Sequence, residues 1–181
     1  LGIDPYIAIV AALAIGAAVG LFNGYLVAFV GIPSFIVTLG GLTLWRGLAF
    51  EATGGFDNAG LPDPLPFLGY GHFLGIPMPI LITAIYFIVM AFVLSSTKLG
   101  RYVYAMGSNE MGARQVGINI RWYKLSVYVV SGLSCALGAI VLMARMDSSS
   151  GKMAQMFELD AIAAVILGGT SLFGGRGSIW G

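Results

Sequence analysis

Between Asp4 and Arg46 the chain carries no charged side chain. A run of that length excludes an ordinary water-facing domain, because nothing in it could dress a surface. It is also about twice the ~20 apolar residues that cross a bilayer. As one helix it would be roughly 60 Å long, so it must fold back on itself inside the membrane. The breakers on offer are Asn23 with Gly24, and Gly31 with Pro33, since proline pushes the residue before it out of the helical region. The sequence therefore predicts a first span over Pro5–Val30 and a second over residues 34–50.

The rest of the chain continues this pattern. Only 9% of its residues are charged and 58% are hydrophobic, against roughly a quarter charged in soluble domains. Residues 51–79 form a loop rich in Gly, Pro and Asp, whose apolar patches suit packing on the bundle. A third span is expected over 80–96 and a fourth over 125–144. A short polar turn, 145–155, follows, and 161–181 enters the membrane again. The fold class is all-α: a polytopic transmembrane bundle of about five spans or part-spans in a single domain, 1–181. Ala8, Ala12, Gly16, Gly20 and Gly24 recur every fourth residue, a stripe on which helix backbones approach closely in membranes. The chain starts at Leu1 and stops in a glycine-rich apolar run, and we expect it to be a piece of a longer protein.

Charge sets the orientation. Five of the nine basic residues (Lys98, Arg101, Arg114, Arg121 and Lys124) fall in the polar stretch 97–124, against one acid, Glu110. By the positive-inside rule this loop is cytoplasmic, which puts 51–79 and 145–155 outside. Arg46, Arg145 and Lys152 run against the bias, although Arg46 stands at a helix end from which it can snorkel.

Candidate chemistry is sparse. The tail LGGTSLFGGRGS, residues 167–178, has the glycines of a phosphate loop but not its Lys followed by Ser or Thr. So many glycines make a poor helix, and freed backbone groups at membrane depth need protein or a wet cavity around them. Gly168, Gly169, Thr170 and Ser171 are therefore candidates for the wall of a translocation path, with Thr38 on the second span. A glycine-rich helix packed tightly on its neighbours is the alternative. Glu158 and Asp160 join the candidates as acids near membrane depth, but they also suit a helix N-terminus through its dipole. His72 is the only histidine and Cys135 the only cysteine. No metal site, disulfide framework or catalytic constellation follows from them, and Cys135 reads as a small buried hydrophobe.

Three stretches carry a resemblance: NGYLVAFVGIPSFIVTLGGLTLWRGL (23–48), LGRYVYAMGSNEMGARQVGINI (99–120) and ELDAIAAVILGGTSLFGGRGS (158–178). In order and spacing they resemble the ribose/xylose/galactose branch of the monosaccharide permeases of bacterial ABC importers, over nearly the whole chain. Such permeases carry a cytoplasmic Glu-Ala-Ala-x-x-x-Gly loop that docks in a cleft of the ATPase. Here Ala113 and Gly117 keep the spacing, while Met111 and Gly112 replace the Glu and the first Ala.

The resemblance implies an inner-membrane permease of about ten spans, working as a pair of permease copies. Two ATP-binding cassette subunits and an extracytoplasmic sugar-binding protein would complete it, with lipid around it and no nucleic-acid partner. The permease would hold no cofactor or metal, ATP being bound by the partner. Its coupling residues would be Gly107, Asn109, Glu110, Gly112, Ala113, Arg114 and Gly117, and Arg101 and Arg121 would have acidic groups of the ATPase to pair with. The chain would not itself be an enzyme. The rival reading is a secondary transporter driven by an ion gradient, which calls for ionisable groups in mid-span.

Overall fold

The computed structural model describes residues 4–56, 58–171 and 174–179. The expected end of the last membrane segment, at Gly181, lies outside them. Helix α1, Pro5–Tyr25, starts with proline at its first position, where a missing N–H costs nothing. It closes in a π-helical turn, Leu26–Val30, that ends on Gly31 in the left-handed region. Leu26 O accepts from both Gly31 N and Ile32 N, at 3.1 and 3.2 Å. Pro33 then starts α2, Ser34–Thr53. The reversal falls at the Gly31–Pro33 breaker, and Asn23 and Gly24 remain helical.

After β1 (Asn58–Ala59) come α3 (Leu65–Tyr70), a two-residue hairpin of β2 (His72–Phe73) and β3 (Ile76–Pro77), and α4 (Met78–Ser96). The polar stretch is itself built of helices, α5 (Lys98–Ser108) and α6 (Glu110–Gln115). Helix α7, Ile120–Met146, begins five residues before the expected span, because no breaker separates Ile120 from Leu125 and Ile120 is buried. β4 (Ser148–Ser149) pairs antiparallel with β1. Last comes α8, Phe157–Leu167. Among the described residues, four stretches are long and apolar enough to cross a membrane: Pro5–Val30, Ser34–Thr53, Met78–Ser96 and Ile120–Met146. At 11 residues, α8 reaches only about 16 Å, roughly half a hydrocarbon core.

Two compact units emerge: residues 1–82 with 125–153, and 83–124 with 154–181. In the first, α1 and α7 meet along the small-residue stripe. A Cβ on Gly16 would lie 2.6 Å from the carbonyl oxygen of Gly132, and one on Gly20 would collide with the Tyr128 carbonyl. Backbone thus meets backbone, the contact that a row of small residues permits. The segments that follow α2 and α7 are tied together in this unit. Asp147 accepts from Gly60 N with its carbonyl at 3.0 Å and from Leu61 N with Oδ1 at 3.0 Å. Helix α3 lies on the end of α7, where Gly69 touches Ala144 and Arg145. The large apolar side chains of α1, α2 and α4 mostly point outward, Tyr6, Val10, Phe35 and Phe92 among them. In water that would be unstable; in lipid it is what a spanning helix requires.

Candidate functional site

The second unit holds the polar hairpin. Thr97 caps α5, accepting from Gly100 N at 3.4 Å. Asn109 ends α5 and starts α6, its Oδ1 accepting from Gly112 N at 2.9 Å. Helix α6 closes on Gly117 with φ of 82°. Gly117 N donates to Arg114 O and Ile118 N to Ala113 O, both at 3.1 Å, which together make a Schellman cap. The glycine at position 117 therefore has a structural reason: its left-handed conformation is costly for any residue with a Cβ. Ala113 is buried. Glu110 sits between two cations, Lys124 at 2.7 Å and Arg114 at 3.6 Å, and so joins α6 to the start of α7.

What this frame turns outward is a small mixed surface. Met111 is 73% exposed and Val116 76%, with the Arg114 side chain at 71% beside them. Two nearly bare apolar side chains next to a cation, on a helix fixed at both ends, suit docking. Sequence reasoning passed over both. The usable signal was Met111, an apolar residue in a short charged helix with Arg114 and Gln115 at i+3 and i+4.

Gly107 does not belong to that outward surface. It packs inward against the glycine-rich tail, where a Cβ on it would sit 2.5 Å from Gly175 N. The same contact is held by Tyr104, which donates from its hydroxyl to Gly177 O at 2.9 Å, and by Ser108 Oγ, 3.5 Å from Gly175 O. Two of the three stretches that carry the family resemblance, far apart in sequence, thus touch. Upstream, Gly168 and Gly169 close α8 with a second Schellman cap: Gly169 N donates to Ile166 O at 2.9 Å and Thr170 N to Val165 O at 3.2 Å. Ser171 N donates to Arg176 O at 2.9 Å, and none of the described residues 174–179 is helical. Glu158 and Asp160 occupy the first turn of α8, where acids oppose the helix dipole.

Thr38 lies in the first unit and lines a cavity of about 640 Å³ among α1, α2 and α7. That falls within the roughly 300–1,000 Å³ of small-molecule sites. Most of its wall is apolar, and its polar groups come from Asn23, Thr38, Tyr128, Ser131 and Cys135; none of its lining residues is charged. Tyr128, Ser131 and Cys135 stand at i, i+3 and i+7, one face of α7. Cys135 is exposed and faces this cavity, contrary to its reading as a buried hydrophobe. The close α1–α7 approach puts its thiol on the cavity wall and not in a packed core.

Compared with known proteins, residues 1–179 match the family described as "Branched-chain amino acid transport system / permease component". The chain is 42% identical over 183 residues to the ribose import permease protein RbsC of Escherichia coli (strain K12), covering 99% of this chain and 57% of that protein. It is 33% identical over 180 residues to the D-allose transport system permease protein AlsC of the same strain, covering 99% of this chain and 55% of that one. To the autoinducer 2 import system permease protein LsrC of Salmonella paratyphi B it is 38% identical over 175 residues, covering 97% and 51%. The chain thus spans a little over half the length of these curated relatives. No solved structure matches significantly. With a family match over nearly its whole length and relatives 33–42% identical over almost all of it, the chain belongs to the permease-component family of these transport systems.

Proposed function

We propose that the chain forms the translocation path of a bacterial ABC importer for a monosaccharide of the ribose type. In this reading the α5–α6 hairpin is cytoplasmic and receives a separate ATPase subunit. An extracytoplasmic binding protein delivers sugar from the other side, and a second permease copy completes the pair. The observation that carries the reading is the hairpin itself. It is short, capped at both ends and ion-paired to α7, and it presents Met111, Val116 and Arg114 outward. A rigid lever with an apolar tip is what a permease needs when ATP is hydrolysed on a separate subunit. The names of the relatives support a sugar, and the uncharged cavity wall supports a neutral solute over an ion-coupled mechanism.

The contact between hairpin and tail supplies a route for coupling. When the ATPase pulls on α6, the motion reaches Gly107, and through it Gly175 and the cap of α8. Because the Gly107–Gly175 contact is backbone on backbone, it has little slack. The hairpin then acts as one two-state element with the turn that ends α8.

The test uses the full-length permease expressed with its ATPase. Met111→Asp combined with Val116→Asp leaves every cap and ion pair of the hairpin in place and alters only the outward face. Normal membrane levels, with at least tenfold weaker ATPase retention and lost uptake, are expected; tenfold corresponds to about 1.4 kcal/mol at the interface. Unchanged uptake and retention in this variant would remove the docking assignment.

A further inference from the structure

The polar stretch 97–124 carries five cations and one acid. Glu110 takes two of the five, Arg114 and Lys124. The other three, Lys98, Arg101 and Arg121, are exposed, and none of them pairs with an acid among the described residues. Arg101 Nη1 donates to Ser96 O at 3.4 Å, a neutral carbonyl that leaves the charge uncompensated. The three are not scattered. Lys98 and Arg101 lie about one turn apart at the start of α5, directly after the span α4 ends at Ser96. Arg121 is the second residue of α7, the next span. Tyr102 and Tyr123 meet edge to face, with ring centroids 5.0 Å apart, and so hold the start of α5 against the start of α7. Arg101 directly precedes the first of these tyrosines, and Arg121 stands two residues before the second. Between Arg121 and Tyr123 comes Trp122, 60% exposed.

This placing is unfavourable for the chain alone. Neither helix has an acid in its first turn, so the positive end of each helix dipole faces these cations with nothing to offset it. An anion from outside the chain would supply the counter-charge. Two spans end here, which sets the three side chains at the depth of the lipid head groups, a few residues from the hydrocarbon edge. The anion available at that depth is a lipid phosphate. An arginine fork matches its oxygens, and an exposed indole suits the same layer.

We propose that Lys98, Arg101 and Arg121 form a binding strip for the head group of an anionic phospholipid, with Trp122 seated in the same layer. The lipid holds the membrane end of the α5–α6 hairpin, so that α6 moves about a fixed base. Binding requires only that α4 and α7 are spans; the role of the hairpin as a lever rests on the reading of the chain as an importer permease.

The experiment takes the full-length permease, purified in detergent without its ATPase, and follows its melting temperature as short-chain dioctanoyl phosphatidylglycerol is added. Dioctanoyl phosphatidylcholine and inorganic phosphate, at the same concentrations, are the comparisons. Phosphatidylglycerol should raise the melting temperature to a plateau, and the other two should leave it in place. Arg101→Gln and Arg121→Gln should each raise the half-saturating lipid about fivefold, the worth of one cation near an anionic surface. Arg114→Gln removes the same charge from α6 and should leave half-saturation where it was. Both test positions are exposed, so both variants should fold, melt as the wild type does before lipid is added, and retain the ATPase.

Equal shifts with phosphatidylcholine would overturn the proposal. So would an equal response to inorganic phosphate, which would make this a site for a free anion, or an Arg114→Gln effect as large as the other two, which would reduce it to net charge. Lost ATPase retention with an intact lipid response would overturn it as well, and give these cations to the ATPase. A permease that takes up no sugar would instead bring down the functional reading and leave the lipid shift in place.

Discussion

The α1–α7 seam and the tail after α8 are both rich in glycine, yet they use it in opposite ways. On the seam, Gly16, Gly20 and Gly24 sit in regular helix, and what they lack is bulk: a Cβ there meets the backbone or side chains of residues 125–136. In the tail, Gly169, Gly174 and Gly175 have φ of 79°, 87° and 76°, and what they supply is conformation. Gly169 has nothing within 4 Å of where its Cβ would be. Gly175 combines both demands, being left-handed and pressed against Ser108. The same residue is thus conserved space in one place and a permitted backbone angle in the other. A glycine count cannot tell them apart; its three-dimensional neighbours can.

Substitutions that add volume should strike the seam hardest, even where they gain helix propensity. Gly20→Leu has to displace the Tyr128 carbonyl, a backbone group that cannot turn aside. We expect a loss of about 3 kcal/mol or more, read as failure to accumulate in the membrane or a collapsed melting temperature in detergent. Wild-type stability in that variant would mean that α1 and α7 are not in contact through this face.

At Gly175 the expected cost is intermediate, and the defect differs in kind. Gly175→Ala adds a methyl group 2.5 Å from Ser108 Oγ on a residue with positive φ, a total of about 2 kcal/mol. Insertion should survive while coupling suffers: uptake falls and ATP hydrolysis loses its response to sugar. Ser108→Gly in the same chain should restore part of the uptake by clearing the side-chain part of the clash. No recovery would place the fault in the backbone, in the positive φ and in the approach to Ser108 Cα and N at 2.7 and 2.8 Å.

The smallest effect belongs to Gly169, where only conformation is at stake. Gly169→Ala should cost about 1 kcal/mol, and Gly169→Asn less, because asparagine tolerates the left-handed region. A thermal-shift series in detergent orders the three residues. An alanine more stable than asparagine at this position would contradict the cap assigned to α8.

Much of the helical frame was legible because it depends on local pattern. The turn at Gly31 and Pro33, the four long apolar stretches and the stripe on α1 follow from hydrophobicity and breakers alone. The early start of α7 was missed because Arg121 and Lys124 look like loop by charge, while nothing from Ile120 to Lys124 breaks a helix. For the site, Thr38 could be named from its position in a span, but not its companions. Asn23, Tyr128 and Ser131 meet it only because glycines at 16, 20 and 132 let α1 and α7 cross closely, a fact that no local window contains. The contact of Tyr104 and Gly107 with the tail is likewise a pairing over some seventy residues. Gly107 was grouped with the proposed docking loop only because of its sequence neighbours, while its contact is with Gly175.

The π-helical turn at the end of α1 has a consequence for length. A π turn holds one residue more than the α-helix around it needs, and Leu26 O already serves two amides there. Deleting one residue within Leu26–Val30 would close the turn to a regular α-helix and leave Pro33 and α2 facing much as before, because a π turn and an α turn each complete one revolution. The same deletion in the regular part of α1 would rotate everything beyond it by about 100°. The surplus residue is therefore slack in length, and this turn should admit the loss of one residue more readily than the rest of α1.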